Sequence, residues 1–246
     1  FGLAPVKHWR ALGRPVVGNG GHIGMASWSG TAFEYFMPQL FLPLYKDSFI
    51  YESLCFALYE QKRFNKGKLW GCSESAYYCF DSEMNYQYKA HGVQTLALTR
   101  YTEKEMVLSP YSVYLALCIS PSAALRTLTA YENEVGSGKY GLYEAVDCLG
   151  GGVIHSYMAH HMGMSLIACA NACFDNIFVR RFMNHPRTAA FYELLQEKIP
   201  INAPIFNAEK QVQTRLANSL RGSFAERLTE HNPAEPVVHI SGKGAN

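Results

Sequence analysis

Glu74 and Glu144 are the residues whose chemistry stands out. Each is a carboxylate set among aromatic rings. Glu74 lies in Trp70-Gly71-Cys72-Ser73-Glu74-Ser75-Ala76-Tyr77-Tyr78, which continues through Asp81 and Glu83 to Asn85-Tyr86-Gln87-Tyr88. Glu144 lies in Lys139-Tyr140-Gly141-Leu142-Tyr143-Glu144-Ala145-Val146-Asp147. Glycoside cleavage needs one carboxylic acid to protonate the leaving oxygen. It needs a second carboxylate to act as nucleophile or to activate water. Rings stack on the apolar faces of pyranoses, and amides bond their hydroxyls. The two stretches carry what such a site requires, and loops on a rigid scaffold commonly hold such residues. The same composition also fits a surface loop whose Tyr hydroxyls and carboxylates face water.

Other candidates are equally open at this level. Glu34 follows Ser29-Gly30-Thr31, a helix start, so it reads either as a first-turn acid favoured by the helix dipole or as a carboxylate aimed into a cleft. His155, His160 and His161 fall in one apolar stretch. His160 and His161 are adjacent, so one of them is expected at any given site. No HExxH occurs, so a His bonding a sugar hydroxyl or a satisfied core His is preferred over zinc. No metal or cofactor is expected. Gly18-Asn19-Gly20-Gly21 lacks the GxGxxG spacing and reads as a flexible or cleft-edge loop.

The bulk numbers bound the class. The chain has 246 residues, 48% hydrophobic and 17% charged, which fits a globular fold rather than a disordered one. The 16 Tyr and 14 Phe suit a carbohydrate cleft and a packed core alike. A formal charge of +2 without a Lys/Arg block leaves no electrostatic footprint for nucleic acid. The seven cysteines form no CxxC pair. Cys55, Cys118, Cys169 and Cys173 read as reduced, buried small hydrophobes. No leader peptide and no apolar run long enough for a bilayer is visible, so a cytoplasmic domain is expected, with attachment of a parent chain to a membrane left open. The chain opens at Phe1, as a piece of a longer protein would.

These residues need helices to position them. Phe33, Phe36, Met37, Leu40, Phe41 and Leu44 recur at helical spacing after Thr31. A second helix is expected from Asp47 to about Asn65, capped by Asp47 or Ser48 and stopped by Gly67. Ser109-Pro110 and Ser120-Pro121 each read as a cap with Pro in the first turn, the latter helix ending near Glu134. A long helix is expected over 153–174, and one or two more over 178–199, broken near His185-Pro186. Residues 201–235 read as a linker and 236–246 as the first strand of a following domain. The expectation is a nearly all-α domain over residues 1–200, its paired helices joined by long polar-aromatic loops.

Five blocks then resemble a known family: SWSGTAFEYFMP (27–38), WGCSESAYY (70–78), NYQYKAHGV (85–93), YGLYEAVD (140–147) and HSYMAHHMGMS (155–165). They resemble the glycoamylase-like domain of cyclic β-1,2-glucan synthases, itself similar to endo-β-1,2-glucanases and to glucoamylase-like proteins of bacteria. The resemblance implies an (α/α)6 toroid, incomplete here. It implies action on β-1,2-glucan, either cyclisation by transglycosylation or hydrolysis; a sugar-binding toroid without catalysis is the alternative. It implies Glu74 and Glu144 as the catalytic pair, with Glu144 as acid/base and Glu74 as nucleophile. Trp28, Glu34, Trp70, Tyr77, Asn85, Tyr86, Gln87, Tyr143, His160 and His161 become substrate-binding residues. The partners it implies are a β-glucan and the other domains of a larger chain, among them a β-sandwich beginning in 236–246. Only Cys-Leu-Gly-Gly-Gly separates Asp147 from Val153, where the family carries a longer loop. Either residues are missing from that loop or the cleft is more open, and both alternatives bear on substrate length and on cyclisation.

Overall fold

A computed structural model describes residues 5–66, 69–99, 105–188, 191–199 and 205–207. After Pro5, whose ring leaves no N–H to satisfy, helix α1 runs Val6–Ala11. Strands β1 (Val16–Asn19) and β2 (His22–Met25) form a hairpin. Helix α2 (Ala32–Phe36) passes at Pro38 into a 3₁₀ turn, Met37–Leu40. Its start is a capping box: Thr31 Oγ1 accepts from Glu34 N, and Glu34 Oε2 accepts from Thr31 N. Helix α3 (Phe49–Phe64) is capped by Ser48, whose Oγ accepts from Tyr51 N at 3.1 Å. Of the two caps expected there, Ser48 is the one used; Asp47 takes up a left-handed φ of 62° before it. Gly67, the expected stop, lies outside the described residues.

The all-α expectation fails next. Residues 74–90 are an antiparallel hairpin of β3 (Glu74–Phe80) and β4 (Tyr86–Ala90), not a loop. Ala76 pairs with Tyr88 and Phe80 with Tyr86, so β3 takes four steps where β4 takes two. That bulge bends the strand and re-aims its side chains. Asp81 shapes the turn: its Oδ1 accepts from Glu83 N and Asn85 N, both at 2.9 Å. Strand β5 (Val107–Leu108) leads into α4 (Pro110–Leu115), and α5 (Pro121–Glu134) follows. Pro opens both helices, but neither Ser109 nor Ser120 caps through its side chain. The second expected loop holds β6 (Ser137–Gly138), β7 (Gly141–Leu142) and β8 (Ala145–Asp147). Strand β9 (Gly152–Ile154) occupies the start of the expected long helix, so α6 runs only Ala159–Cys173. Helix α7 (Ile177–Met183) and the short α8 (Phe191–Leu194) flank the expected break at His185-Pro186. Strand β10 (Ile205–Asn207) pairs parallel with β1, inside the segment read as a linker. The rest of 201–235, and all of 236–246, lie outside the described residues.

The fold is helix-rich with four small sheets among the described residues: β10-β1-β2, β3-β4, β5-β8-β9 and β6-β7. The main core gathers Phe36, Leu40, Leu54, Phe56, Leu115 and Tyr131 from the helices, with Trp70. A smaller core of Ala76, Val107, Ala145 and Ile154 ties the β3-β4 hairpin to the β5-β8-β9 sheet. That second core holds the ends of the two expected loops side by side. The cysteines are all free; Cys72 is buried, whereas Cys118 and Cys173, expected inside, are exposed. No single helix among the described residues is long and apolar enough to cross a membrane.

Candidate active site

Glu74 is the first residue of β3 and Glu144 immediately precedes β8, so the smaller core brings both to one place. The two side chains differ sharply in setting. Glu74 is half-buried, while Glu144 is only 5% exposed. His161 Nδ1, in the first turn of α6, sits 2.9 Å from Glu144 Oε1 and 3.0 Å from Oε2. Ala76 N donates to Glu144 Oε1 at 3.3 Å. The Glu144 backbone is pinned as well. Ser109 Oγ donates to its carbonyl at 2.6 Å, and its N–H donates to Ser156 O at 3.1 Å. The expected cap Ser109 is thus turned to holding Glu144. Glu144 is thus enclosed and paired with His161, while Glu74 is the more open of the two.

Between the two carboxyls stands Tyr88 of β4. Its hydroxyl lies 3.5 Å from Glu74 Oε2 and 3.3 Å from His161 Nε2. A continuous hydrogen-bonded path therefore runs Glu74–Tyr88–His161–Glu144. The imidazole of His161 is fixed by stacking face to face on Tyr111 of α4, with centroids 3.6 Å apart and planes 7° from parallel. Tyr111 is held in turn by Ser73, their oxygens 2.7 Å apart, and Ser73 Oγ also accepts from Phe33 N. Burial raises the Tyr88 phenol's pKa, and the charges of Glu74 and Glu144 raise it further, so it is a proton donor at neutral pH. Burial likewise pushes the Tyr111 hydroxyl up. His160 lies beside this group, its ring 4.1 Å from His161 and 6.1 Å from Tyr88. Both histidine rings approach Tyr88, that of the exposed His160 at 6.1 Å and that of His161 at 6.0 Å between centroids. The expectation of only one of the two at a given site is corrected. Burial, then the neighbouring His161, lowers the pKa of His160.

The other expected residues divide. Tyr77 and Gln87 pair with each other at 3.0 Å, and Lys89 lies over the Tyr77 ring. By strand alternation they belong to the hairpin face opposite Glu74 and Tyr88. Tyr86 packs on Phe80, centroids 4.7 Å apart, and Asn85 closes the turn through Asp81. Tyr143 joins a separate ring group with His155 and Tyr157. Trp28 stands 61% exposed on the turn before α2. Glu34 is engaged there: Ser27 Oγ donates to it at 2.6 Å, and the N–H groups of Ser29 and Thr31 also bond it. Its oxygens organise the helix start, the first of the two readings offered for it. Trp70 is corrected outright: it is 3% exposed in the main core and accepts from Tyr131 Oη through its carbonyl.

Tyr88, Tyr111 and Ser73 were not named as site residues from sequence, and Ser109 was read only as a helix cap. Tyr88 was within reach. Read as a strand, Asn85-Tyr86-Gln87-Tyr88-Lys89 puts Tyr86 and Tyr88 on one face. Two glycines seat the hairpin. Gly71 has φ +131°, and a Cβ there would stand 2.5 Å from Ser112 Oγ; a Cβ on Gly151 would stand 2.5 Å from the Cβ of Tyr78. Among the described residues, no group of three or more His, Cys, Asp or Glu is placed to hold a metal ion.

With the geometry in place, comparison with known proteins fits it to a family. The chain is 37% identical over 224 residues to the cyclic β-(1,2)-glucan synthase NdvB of Rhizobium meliloti (strain 1021), covering 85% of this chain and 8% of that protein. Among solved structures it resembles an endo-β-1,2-glucanase from Chitinophaga pinensis (TM-score 0.55, 18% identity, 74% of this chain and 46% of that one). It also resembles a β-1,2-glucanase from Parabacteroides distasonis (TM-score 0.52, 17% identity, 68% and 24%). The chain thus spans a small part of the synthase and less than half of each solved structure. The Glycoamylase family model, described as "Putative glucoamylase", matches residues 6–186, and the chain belongs to that family.

Proposed function

We propose that this chain is a carbohydrate-active domain working on β-1,2-glucan, with Glu74 and Glu144 as its two carboxylates. It transfers a glucan chain onto an acceptor hydroxyl of the same chain and so closes a ring. The observation that carries this reading is the path joining Glu74 to Glu144 through Tyr88 and His161, because two-carboxylate chemistry needs one protonated and one ionised group at a single site. The 37% identity to a cyclic β-(1,2)-glucan synthase supports the substrate class. Glu74, half-buried and flanked by Tyr88, acts as nucleophile; Glu144 acts as acid/base. Trp28, His160 and the outer rings of the hairpin bind sugar, and no metal or cofactor takes part. The chain forms part of an (α/α)6 toroid within a larger cytoplasmic protein, and other domains of that parent contact it.

Hydrolysis is the second reading. It is favoured by the short Cys148–Gly152 stretch, whose Gly151 backbone sits close to Tyr78, and by the exposure of Tyr78, 51% open to solvent. Size analysis of products from linear β-1,2-glucan separates the two. Rings support transfer, and short linear sugars support hydrolysis. Binding without any product supports a non-catalytic sugar-binding domain and overturns both.

A further inference from the structure

Glu144 has no direct route to a sugar. Its side chain is 2% exposed, and its oxygens are taken by His161 and Ala76 N. Among the described residues, it connects toward solvent through the imidazole of His161 and then the Tyr88 hydroxyl, on a residue that is 41% exposed. We propose that Tyr88 and His161 form a proton wire through which Glu144 acts, with the Tyr88 hydroxyl as the group that meets the leaving glycosidic oxygen. The inference rests on the reading of Glu74 and Glu144 as the carboxylate pair.

The step balances. As the C1–O bond breaks, its electron pair goes to the leaving oxygen, which takes the proton of Tyr88 Oη. The phenol oxygen takes the proton of His161 Nε2, and His161 Nδ1 takes the proton of the Glu144 carboxyl. Glu74 supplies the electron pair of the new bond to C1. Tyr88 and His161 finish with the protons they started with, His161 as its other tautomer, and Glu144 finishes as a carboxylate. The incoming acceptor hydroxyl then drives the wire in reverse.

The surroundings suit this role. The ring of His161 cannot swing, because it stacks on Tyr111, which Ser73 holds. Both nitrogens of His161 are therefore committed, Nδ1 to Glu144 and Nε2 to Tyr88. The ionisable groups facing Tyr88 are Glu74 from β3, Tyr111 from α4, Glu144 from the segment before β8, and His160 and His161 from α6. Burial, and then the charge of Glu74, keep the phenol protonated, so Tyr88 enters as a donor and not as a nucleophile.

The test compares the full chain with Tyr88→Phe, which keeps the ring and deletes the hydroxyl. With linear β-1,2-glucan, kcat is expected to fall about 10²-fold or more while KM stays within about threefold. The dependence of kcat on D₂O fraction is expected to be curved in the native chain, where several protons move together, and linear in the variant. Replacing Tyr88 with 2,3-difluorotyrosine supplies a second variant of nearly native shape, in which a limb of the pH–rate profile moves with the acidity of the phenol. A Tyr88→Phe chain that keeps kcat within threefold, or an unmoved limb with difluorotyrosine, overturns the wire. If Glu144→Gln is inactive and Tyr88→Phe is not, the pair stands and the wire falls. If the native chain turns over no β-1,2-glucan, the functional reading fails and ¹⁵N NMR of the His161 ring decides the wire: Tyr88→Phe is expected to shift its tautomer balance, and identical spectra overturn it.

Discussion

At the scale of single residues, the environment separates two glutamates that look alike in sequence. Glu74 opens a strand whose next two residues, Ser75 and Ala76, are buried, yet it stays half-buried itself. Glu144 is locked by four neighbours: His161, Ala76, Ser109 and Ser156. Glu144→Gln keeps the shape but removes the carboxyl that exchanges a proton with His161. It is expected to lower turnover by 10²–10⁴-fold, measured as kcat on linear β-1,2-glucan. His91 makes a pH prediction. Burial and the charge of Lys89 lower its pKa from 6.5 to about 4, against the opposing pull of Asp147. Its Nδ1 bonds Glu105, while Nε2 is buried without a hydrogen-bond partner among the described residues. Above pH 6.5 the folded and unfolded chains are both neutral at His91, and nothing is lost. Below 6.5 the unfolded chain takes up a proton that the folded chain refuses, so stability falls until about pH 4, by at most about 3 kcal/mol. Urea unfolding at pH 7 and pH 4.5 is expected to show that loss in the native chain and a smaller one in His91→Gln.

At the scale of elements, the hairpin β3-β4 places Tyr88 between the two carboxyls, and glycines let it seat. Gly71→Ala forces a side chain into a left-handed backbone and against Ser112. It is expected to destabilise by about 1–3 kcal/mol in chemical denaturation. Thr31→Ala removes one half of the α2 capping box and is expected to cost about 1 kcal/mol. The helices were legible where caps and prolines mark them: Thr31, Ser48, Pro110 and Pro121 each stand at an observed start. The strands were not. Glu74–Phe80 carries Glu, Ser and Cys among its rings, and both of its faces are partly covered, so no clean alternation of polar and apolar appears. Its bulge breaks what period there is. Val153 and Ile154 read as helix because apolar residues continue into α6, and only pairing with β8 makes them a strand. Such pairing joins residues far apart in the chain, and a local pattern does not carry it.

At the scale of the molecule, two cores share the work. The larger one sets the helices, and Phe56→Ala within it is expected to destabilise by about 3–5 kcal/mol with little change in which products form. The smaller one, built on Ala76, Val107, Ala145 and Ile154, joins two sheets and thereby sets two carboxyls on one hydrogen-bonded path. The pair itself was legible as two acids among rings, but their unequal burial was not, because it depends on α6 delivering His161 from 17 positions further on. The most direct measurement is turnover and binding of linear β-1,2-glucan by the native chain, Glu74→Gln and Glu144→Gln, by product analysis and calorimetry. Both variants are expected to bind with Kd within about threefold of native while turnover falls at least about 10²-fold. A native chain that binds without turnover, or either variant that keeps native turnover, contradicts the account.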